Sequence, residues 1–267
     1  MKNILLIGTG KFGKCYLSTL FSLTDIHLQT ANRYNWKQLI DEKPDGVIIA
    51  TPPDSHIEIA KCALEKNIPV MIEKPLSLSY DEAKQLQGYS APILVDHIHL
   101  FSDAYQSLKS TVNKEKINSI VSLGFNKSPN REYSALWDYA PHDLAMIMDI
   151  TQQFPKEIEC KQIATDFGHL YNIKMYFENF VSASLVGNGG AKKVRKFKVH
   201  FDGLQASYDD NDRPFYHKSP LLNAVNVFLS AIDGNNDPRL GLDLSLKVVK
   251  LLELADWSLI SNDIVVI

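Results

Sequence analysis

Ile4-Leu5-Leu6-Ile7-Gly8-Thr9-Gly10-Lys11-Phe12-Gly13 is the stretch from which the fold is read. Four apolar residues in unbroken succession mark a strand buried on both faces, as in a parallel sheet. After the glycines, Phe12, Cys15, Tyr16 and Leu20 recur at helical spacing. G-x-G-x-x-G therefore stands between a strand and a helix N-terminus, where backbone N–H groups and the helix dipole favour a pyrophosphate. Gly8 allows the tight turn, Gly10 the close approach of a phosphate, and Gly13 the packing of helix on strand. Thr9, Lys11 and Phe12 complete the loop as candidate cofactor-binding residues.

Working outward, the second strand is expected at Ile26–Ala31, and the residue that meets the adenosine ribose lies about 20 residues beyond the glycines. Asn32 and Arg33 stand there. An acid would accept hydrogen bonds from the ribose 2′-hydroxyl, whereas Asn-Arg leaves room and charge for a 2′-phosphate. The cofactor is therefore NADP or NAD, with NADP favoured; the alternative for Arg33 is a solvated loop side chain. Val47-Ile48-Ile49-Ala50 is again a buried strand, and it ends in Thr51-Pro52-Pro53-Asp54-Ser55-His56. Two prolines cannot join a ladder, so this is a loop at a strand's carboxyl end, the edge at which open α/β sheets bind ligands. Ala50, Thr51, Pro52 and His56 are candidates to line the cofactor. Ile57, Ala60, Ala63 and Leu64 mark the inner face of the next helix.

Val70-Met71-Ile72-Glu73-Lys74-Pro75-Leu76 follows the same logic. An apolar run ends in an acid, a base and a proline, so Glu73 and Lys74 stand at the functional rim as candidate cofactor-binding residues. Taken alone, Lys74 reads first as a surface lysine capping a strand.

In order, Gly8-x-Gly10-x-x-Gly13, Ala50-Thr51-Pro52-Pro53-x-x-His56 and Glu73-Lys74-Pro75-Leu76 resemble the Gfo/Idh/MocA oxidoreductases, the relatives of glucose-fructose oxidoreductase and inositol dehydrogenase. The resemblance is close over the first hundred residues and looser beyond. It implies an active-site role for Lys74 and a cofactor-lining role for the Thr51-Pro52 loop.

Beyond Ile93, a strand is expected to reach Leu100, with His97 and His99 on one face. No third ligand stands at metal-binding spacing, so no metal is expected. Asp138 and His142 in Leu136–Leu144 are four apart, so on a helix they share one face. An Asp beside a His fixes its tautomer and stabilises the imidazolium, as a general base needs. A solvated helix face is the plain alternative, but the resemblance assigns this Asp and His to the same active site as Lys74. Where the family often carries a further acid, three residues after the His, this chain has Ala145; Asp143 is a candidate replacement, about 100° round the helix.

From Ile158 onward, apolar and polar residues alternate, as in Tyr171, Ile173, Met175 and Phe177 and again in Phe197, Val199 and Phe201. These are antiparallel strands with one wet face. Lys192, Lys193, Arg195, Lys196 and Lys198 read first as the solvated side of such a strand and second as a contact for a phosphorylated substrate. Segments 219–232 and 242–259 read as two closing helices.

The expected fold is α/β: a Rossmann dinucleotide-binding domain over 1–98, then an α+β domain with an open, mainly antiparallel sheet over 99–267, whose last helix can pack back on the first. A net charge of −3 gives no general attraction to nucleic acid or membrane, and neither is expected as a partner. Three cysteines without C-x-x-C spacing, and no apolar leader, place the chain in the cytoplasm. The expected partners are a small-molecule substrate, a sugar, cyclitol or nucleotide-sugar by the resemblance, and a second copy, in a homodimer or homotetramer through the second sheet. A non-catalytic, dinucleotide-sensing regulator on the same fold is the alternative to an NAD(P)-dependent enzyme.

Overall fold

The computed structural model describes residues 1–209 and 219–267. Lys2–Ile7 (β1), Lys11–Leu20 (α1), Ile26–Ala31 (β2), Trp36–Asp41 (α2), Gly46–Ile49 (β3), His56–Leu64 (α3), Val70–Glu73 (β4), Tyr80–Ala83 (α4) and Ile93–Asp96 (β5) come first. Asp103–Thr111 (α5), Ile117–Lys127 (β6), Ala135–Thr151 (α6), Glu157–Thr165 (β7), Gly168–Tyr176 (β8), Val181–Gly187 (β9), Gly189–Phe201 (β10) and Leu204–Asp209 (β11) follow. Pro220–Ile232 (α7), Asp243–Ser261 (α8) and Val265–Val266 (β12) end the chain.

Met1–Phe101 and a later segment ending at Leu246 make one compact unit; the segment that begins at Ser102, with Lys247–Ile267, makes the other. The single expected boundary at 98/99 is thus replaced by a first crossing after Phe101 and a return. The return has a packing reason. Helix α7 buries Leu221, Ala224, Val225, Phe228 and Ala231, and Phe228 and Ile232 occupy the space that a Cβ on Gly46 would need. It is therefore α7, with the first turn of α8, that joins the first unit.

In that unit the described strands form a parallel sheet in the order β2-β1-β3-β4-β5. Every residue of β3, β4 and β5 is buried, as are Ile4–Ile7 of β1, which is why these sequences run apolar without alternating. The order reverses between β1 and β3, the point at which such sheets bind ligands beyond the carboxyl ends of their strands. The strand expected to reach Leu100 stops at Asp96. There the His97 N–H donates to Val95 O at 2.8 Å, and the chain turns into a 3-10 helix over Ile98–Phe101, so His97 and His99 are not strand neighbours.

In the second unit the described strands run β11-β10-β6-β9-β8-β7-β12, antiparallel except for the β6–β9 pair. Tyr171, Ile173, Met175, Phe197, Val199 and Phe201 point inward as their alternation implies. Helix α6 packs on β6, β8 and β9. Its approach is close because Ser122, Gly124, Ser182 and Ser184, all small, form the covered rows of β6 and β9. Ser122 donates to Ser184 across that face at 2.7 Å. No helix of the described residues is long and apolar enough to cross a membrane.

Candidate active site

The glycine loop is held by contacts that exclude side chains. Gly8 has φ +94°, and a Cβ there would lie 2.6 Å from the Ala50 carbonyl oxygen; one on Gly13 would run into the Gly8 carbonyl. Around Gly10 the space is open, with nothing within 4 Å of a built Cβ. Gly10 also caps α1, whose ladder begins with the Lys14 N–H donating to Gly10 O at 3.0 Å. The first-turn N–H groups therefore open onto a cradle that a side chain would fill, and a dinucleotide pyrophosphate fits it. Thr9, Gly10 and Lys11 are exposed and Phe12 is half-buried.

The loop after β3 is braced rather than loose. Thr51 Oγ1 accepts from Ser55 Oγ at 2.8 Å, and Pro52 precedes a single 3-10 turn. His56 is fully buried, with Nε2 2.9 Å from Thr51 O and Nδ1 3.0 Å from Pro75 O. The neutral ring has one N–H, which donates to one of these two carbonyls, and the ring sits wedged between the Thr51-Pro52 loop and the turn after Lys74. Burial pushes the His56 pKa down, against the pull of the two carbonyls. Its part here is to position the rim.

At the end of β2, Asn32 Oδ1 accepts from the Tyr34 N–H at 2.8 Å, and the Asn32 N–H donates to Asn35 Oδ1 at 2.9 Å. Asn32 therefore shapes the turn. Arg33 is exposed, and its guanidinium carbon lies 4.9 Å from the centroid of the Tyr34 ring.

Lys74 follows β4 and is buried, with its ammonium 5.6 Å from the centroid of the Phe12 ring in the glycine loop. The Glu73 carboxylate accepts from the Lys74 backbone N–H at 3.1 Å. Glu73 pairs in register with Asp96 of β5, and Tyr16 of α1 donates its hydroxyl to Asp96 Oδ2 at 2.5 Å. Burial and the neighbouring Asp96 raise Glu73 to about 8; burial raises Asp96 to about 6 against the pull of Tyr16 and Lys74. His97 Nε2 lies 3.1 Å from Ser245 Oγ. Burial, and then the Lys74 charge, lower the His97 pKa to about 4, so its ring is neutral at pH 7. Among the described residues no three His, Cys, Asp or Glu side chains are grouped to hold a metal.

In the second unit Asp138 and His142 both lie on α6, Asp138 buried and His142 half-buried. The carboxylate of Asp138 is engaged by Arg131, whose Nε stands 2.6 Å away. Arg131 lies in the loop before α6, outside the D-x-x-x-H spacing, and nothing in the sequence pattern marks it. Asp143 is fully buried and ion-paired with Arg195. It serves that cation and not the face of His142. Arg195 therefore leaves the solvated basic cluster in which its neighbours put it. Gly124, opposite it in register, was the available signal: the Arg195 guanidinium and the Asp143 carboxylate fill the space of the missing side chain.

Residues 2–91 match the model described as the Gfo/Idh/MocA oxidoreductase family, NAD-binding Rossmann fold. Over 184 residues the chain is 24% identical to the UDP-N-acetylglucosamine 3-dehydrogenase of Acidithiobacillus ferrooxidans, covering 65% of this chain and 59% of that protein. It is 28% identical over 145 residues to the glucose-6-phosphate 3-dehydrogenase of Bacillus subtilis, covering 46% and 41%. The chain thus aligns with less than two thirds of the length of these relatives. In fold it is similar to scyllo-inositol dehydrogenase from Lactobacillus casei, solved with NAD(H) and scyllo-inositol, at a TM-score of 0.86 and 15% identity over 100% of this chain and 99% of that one.

Proposed function

We propose that this protein is an NAD(P)-dependent oxidoreductase of the Gfo/Idh/MocA type that interconverts a hydroxyl and a ketone on a sugar, cyclitol or nucleotide-sugar. The observation that carries the proposal is Lys74, a buried ammonium at the carboxyl edge of the sheet, next to the glycine loop through Phe12. A nicotinamide cofactor bound in the cradle of Gly8, Gly10 and Gly13 would supply the hydride chemistry. Lys74 then polarises the carbinol or ketone oxygen and supports its proton, His142 exchanges that proton as acid or base, and Asp138 orients His142 or binds a neighbouring hydroxyl. The names of the relatives support sugar derivatives as the substrate class. Purified protein mixed with NADH or NADPH and a panel of keto-sugars, inososes and oxidised UDP-sugars tests this by loss of reduced-cofactor absorbance. No loss with any of them, in protein shown to bind the cofactor, would favour the dinucleotide-sensing regulator.

NADP(H) is expected to bind more tightly than NAD(H). No acid stands at the end of β2, and the exposed Arg33 guanidinium is free of any such acid's competition for a 2′-phosphate. Dissociation constants for both cofactors with wild type and Arg33→Ala decide it. A tighter NAD(H) complex, or an unchanged NADP(H) affinity in the variant, rules the preference out.

The protein is expected to be a dimer or tetramer through the outer face of the second sheet. Val121, Leu123 and Phe125 of β6 lie beside Ala183 and Leu185 of β9 on that face, with Lys174, Lys196 and Lys198 towards its margins. An apolar centre with a charged rim is the anatomy of a subunit contact. Sedimentation equilibrium at micromolar concentration checks it, with Val121→Asp expected to dissociate the assembly; a monomeric wild type ends the idea.

A further inference from the structure

The first unit buries two carboxyl groups that the reaction above does not use. Strand pairing sets Glu73, the last residue of β4, opposite Asp96, the last residue of β5. Partners in register on parallel strands point to the same side of the sheet. Tyr16 closes the group from α1, donating to Asp96 and interacting with Glu73 as well. The ammonium of Lys74 interacts with both acids. Among the described residues, the titratable groups acting on this pair are Tyr16 and Lys74, and the neutral His97 faces Lys74. Two full negative charges so close and so buried, with one cation acting on both, are strongly disfavoured, and the ordinary resolution is that one proton stays in the pair. Asp96 Oδ1 has no hydrogen-bond partner among the described residues, so Asp96 has a site open to that proton.

We propose that Glu73 and Asp96 act as one proton-sharing carboxyl pair, closed by the Tyr16 hydroxyl, that holds the Lys74 ammonium in place for the acid–base step. They are positioning residues, and the inference rests on the role given to Lys74 above. Burial and mutual repulsion split the titration of the pair, with the last proton leaving near pH 8. Between about pH 6 and about pH 8 the pair carries one negative charge against one ammonium and is balanced. Above that range, a second charge appears beside Lys74, the ammonium is gripped more tightly, and the proton exchange that turnover needs is slowed.

Two measurements test this, one of them independent of activity. Infrared spectra of the purified protein should show the C=O stretch of a protonated carboxyl at pH 7 that fades through about pH 8, and that is lost in Glu73→Gln and in Asp96→Asn. Turnover should fall as pH rises through the same range in wild type, and in Glu73→Gln that limb should vanish or move by at least a pH unit, a change that a merely structural role would not produce. Stability gives a further sign. The folded pKa of Glu73 is raised above the ordinary 4.5 of the unfolded chain. Its protonated form therefore contributes stability that is present below pH 4.5 and lost as pH rises to about 8, a loss that Glu73→Gln should flatten. Absence of the carboxyl band at pH 7 overturns the shared proton whatever Lys74 does. A band with an unchanged pH limb in Glu73→Gln overturns the positioning role. If Lys74→Ala turns over at the wild-type rate while the band persists, the role given to Lys74 fails, and positioning fails with it, leaving the pair itself intact.

Discussion

Replacing Lys74 by alanine is expected to slow single-turnover hydride transfer by about 100- to 10,000-fold, the range that general acid–base groups contribute. Cofactor affinity should change little, because the cradle at Gly8, Gly10 and Gly13 is backbone whose close neighbours are the Ala50 and Gly8 carbonyls. The variant should also fold. Loss of the ammonium leaves Glu73 and Asp96 with an uncompensated charge, but these carboxyls already lie at about 8 and about 6, and a second proton discharges them at modest cost near neutral pH. Loss of turnover with intact cofactor binding therefore separates chemistry from architecture. His142→Ala should fall in the same range, and Asp138→Asn should lose less, because the role proposed for Asp138 is to orient and Arg131 engages its carboxylate. Stopped-flow measurement of nicotinamide absorbance in the three variants decides between them. A wild-type rate in Lys74→Ala would remove it from the mechanism.

What could be read from the sequence divides along a physical line. Strands β1, β3, β4 and β5 are buried on both faces, so their apolar runs are unambiguous, and the glycines after β1 announce a turn that only glycine fits. Strand β6 went unread because its pattern is inverted. Its covered row holds Ser122 and Gly124, and its outward row holds Val121, Leu123 and Phe125, the arrangement that lets a helix approach closely on the covered side. Pairwise features were legible only in part. The opposition of Glu73 and Asp96 depends on a register between strands 23 residues apart in sequence, and no local pattern encodes it. His56 was identifiable as a rim residue from its place after two prolines, but its two carbonyl partners belong to different loops. The return of α7 to the first unit depends on where an amphipathic face finds cover, and amphipathicity alone does not name its partner.

The largest effect on stability should come from the buried ion pair beneath the second sheet. Asp143→Ala is expected to destabilise the protein by about 3–5 kcal/mol, the usual cost of leaving one member of a buried pair without its counter-charge. Arg195 has nowhere to go. Its side chain is buried in the space over Gly124, and a guanidinium cannot shed its proton to escape the cost. The fall in Tm should be on the order of 10 °C. Arg195→Ala should cost less, because a buried carboxyl left alone can become neutral where a guanidinium cannot. Replacing both residues by apolar ones, Asp143→Leu with Arg195→Met, should recover most of the loss, since an apolar pair of similar volume commonly replaces a buried ion pair without penalty. Thermal denaturation of the three variants between pH 6 and 9 measures all of this. If Asp143→Ala costs under about 1 kcal/mol, water reaches Arg195 and the pair is not what seats α6 on the sheet. If the double replacement is as unstable as Asp143→Ala, the loss reflects packing around Gly124 and not charge.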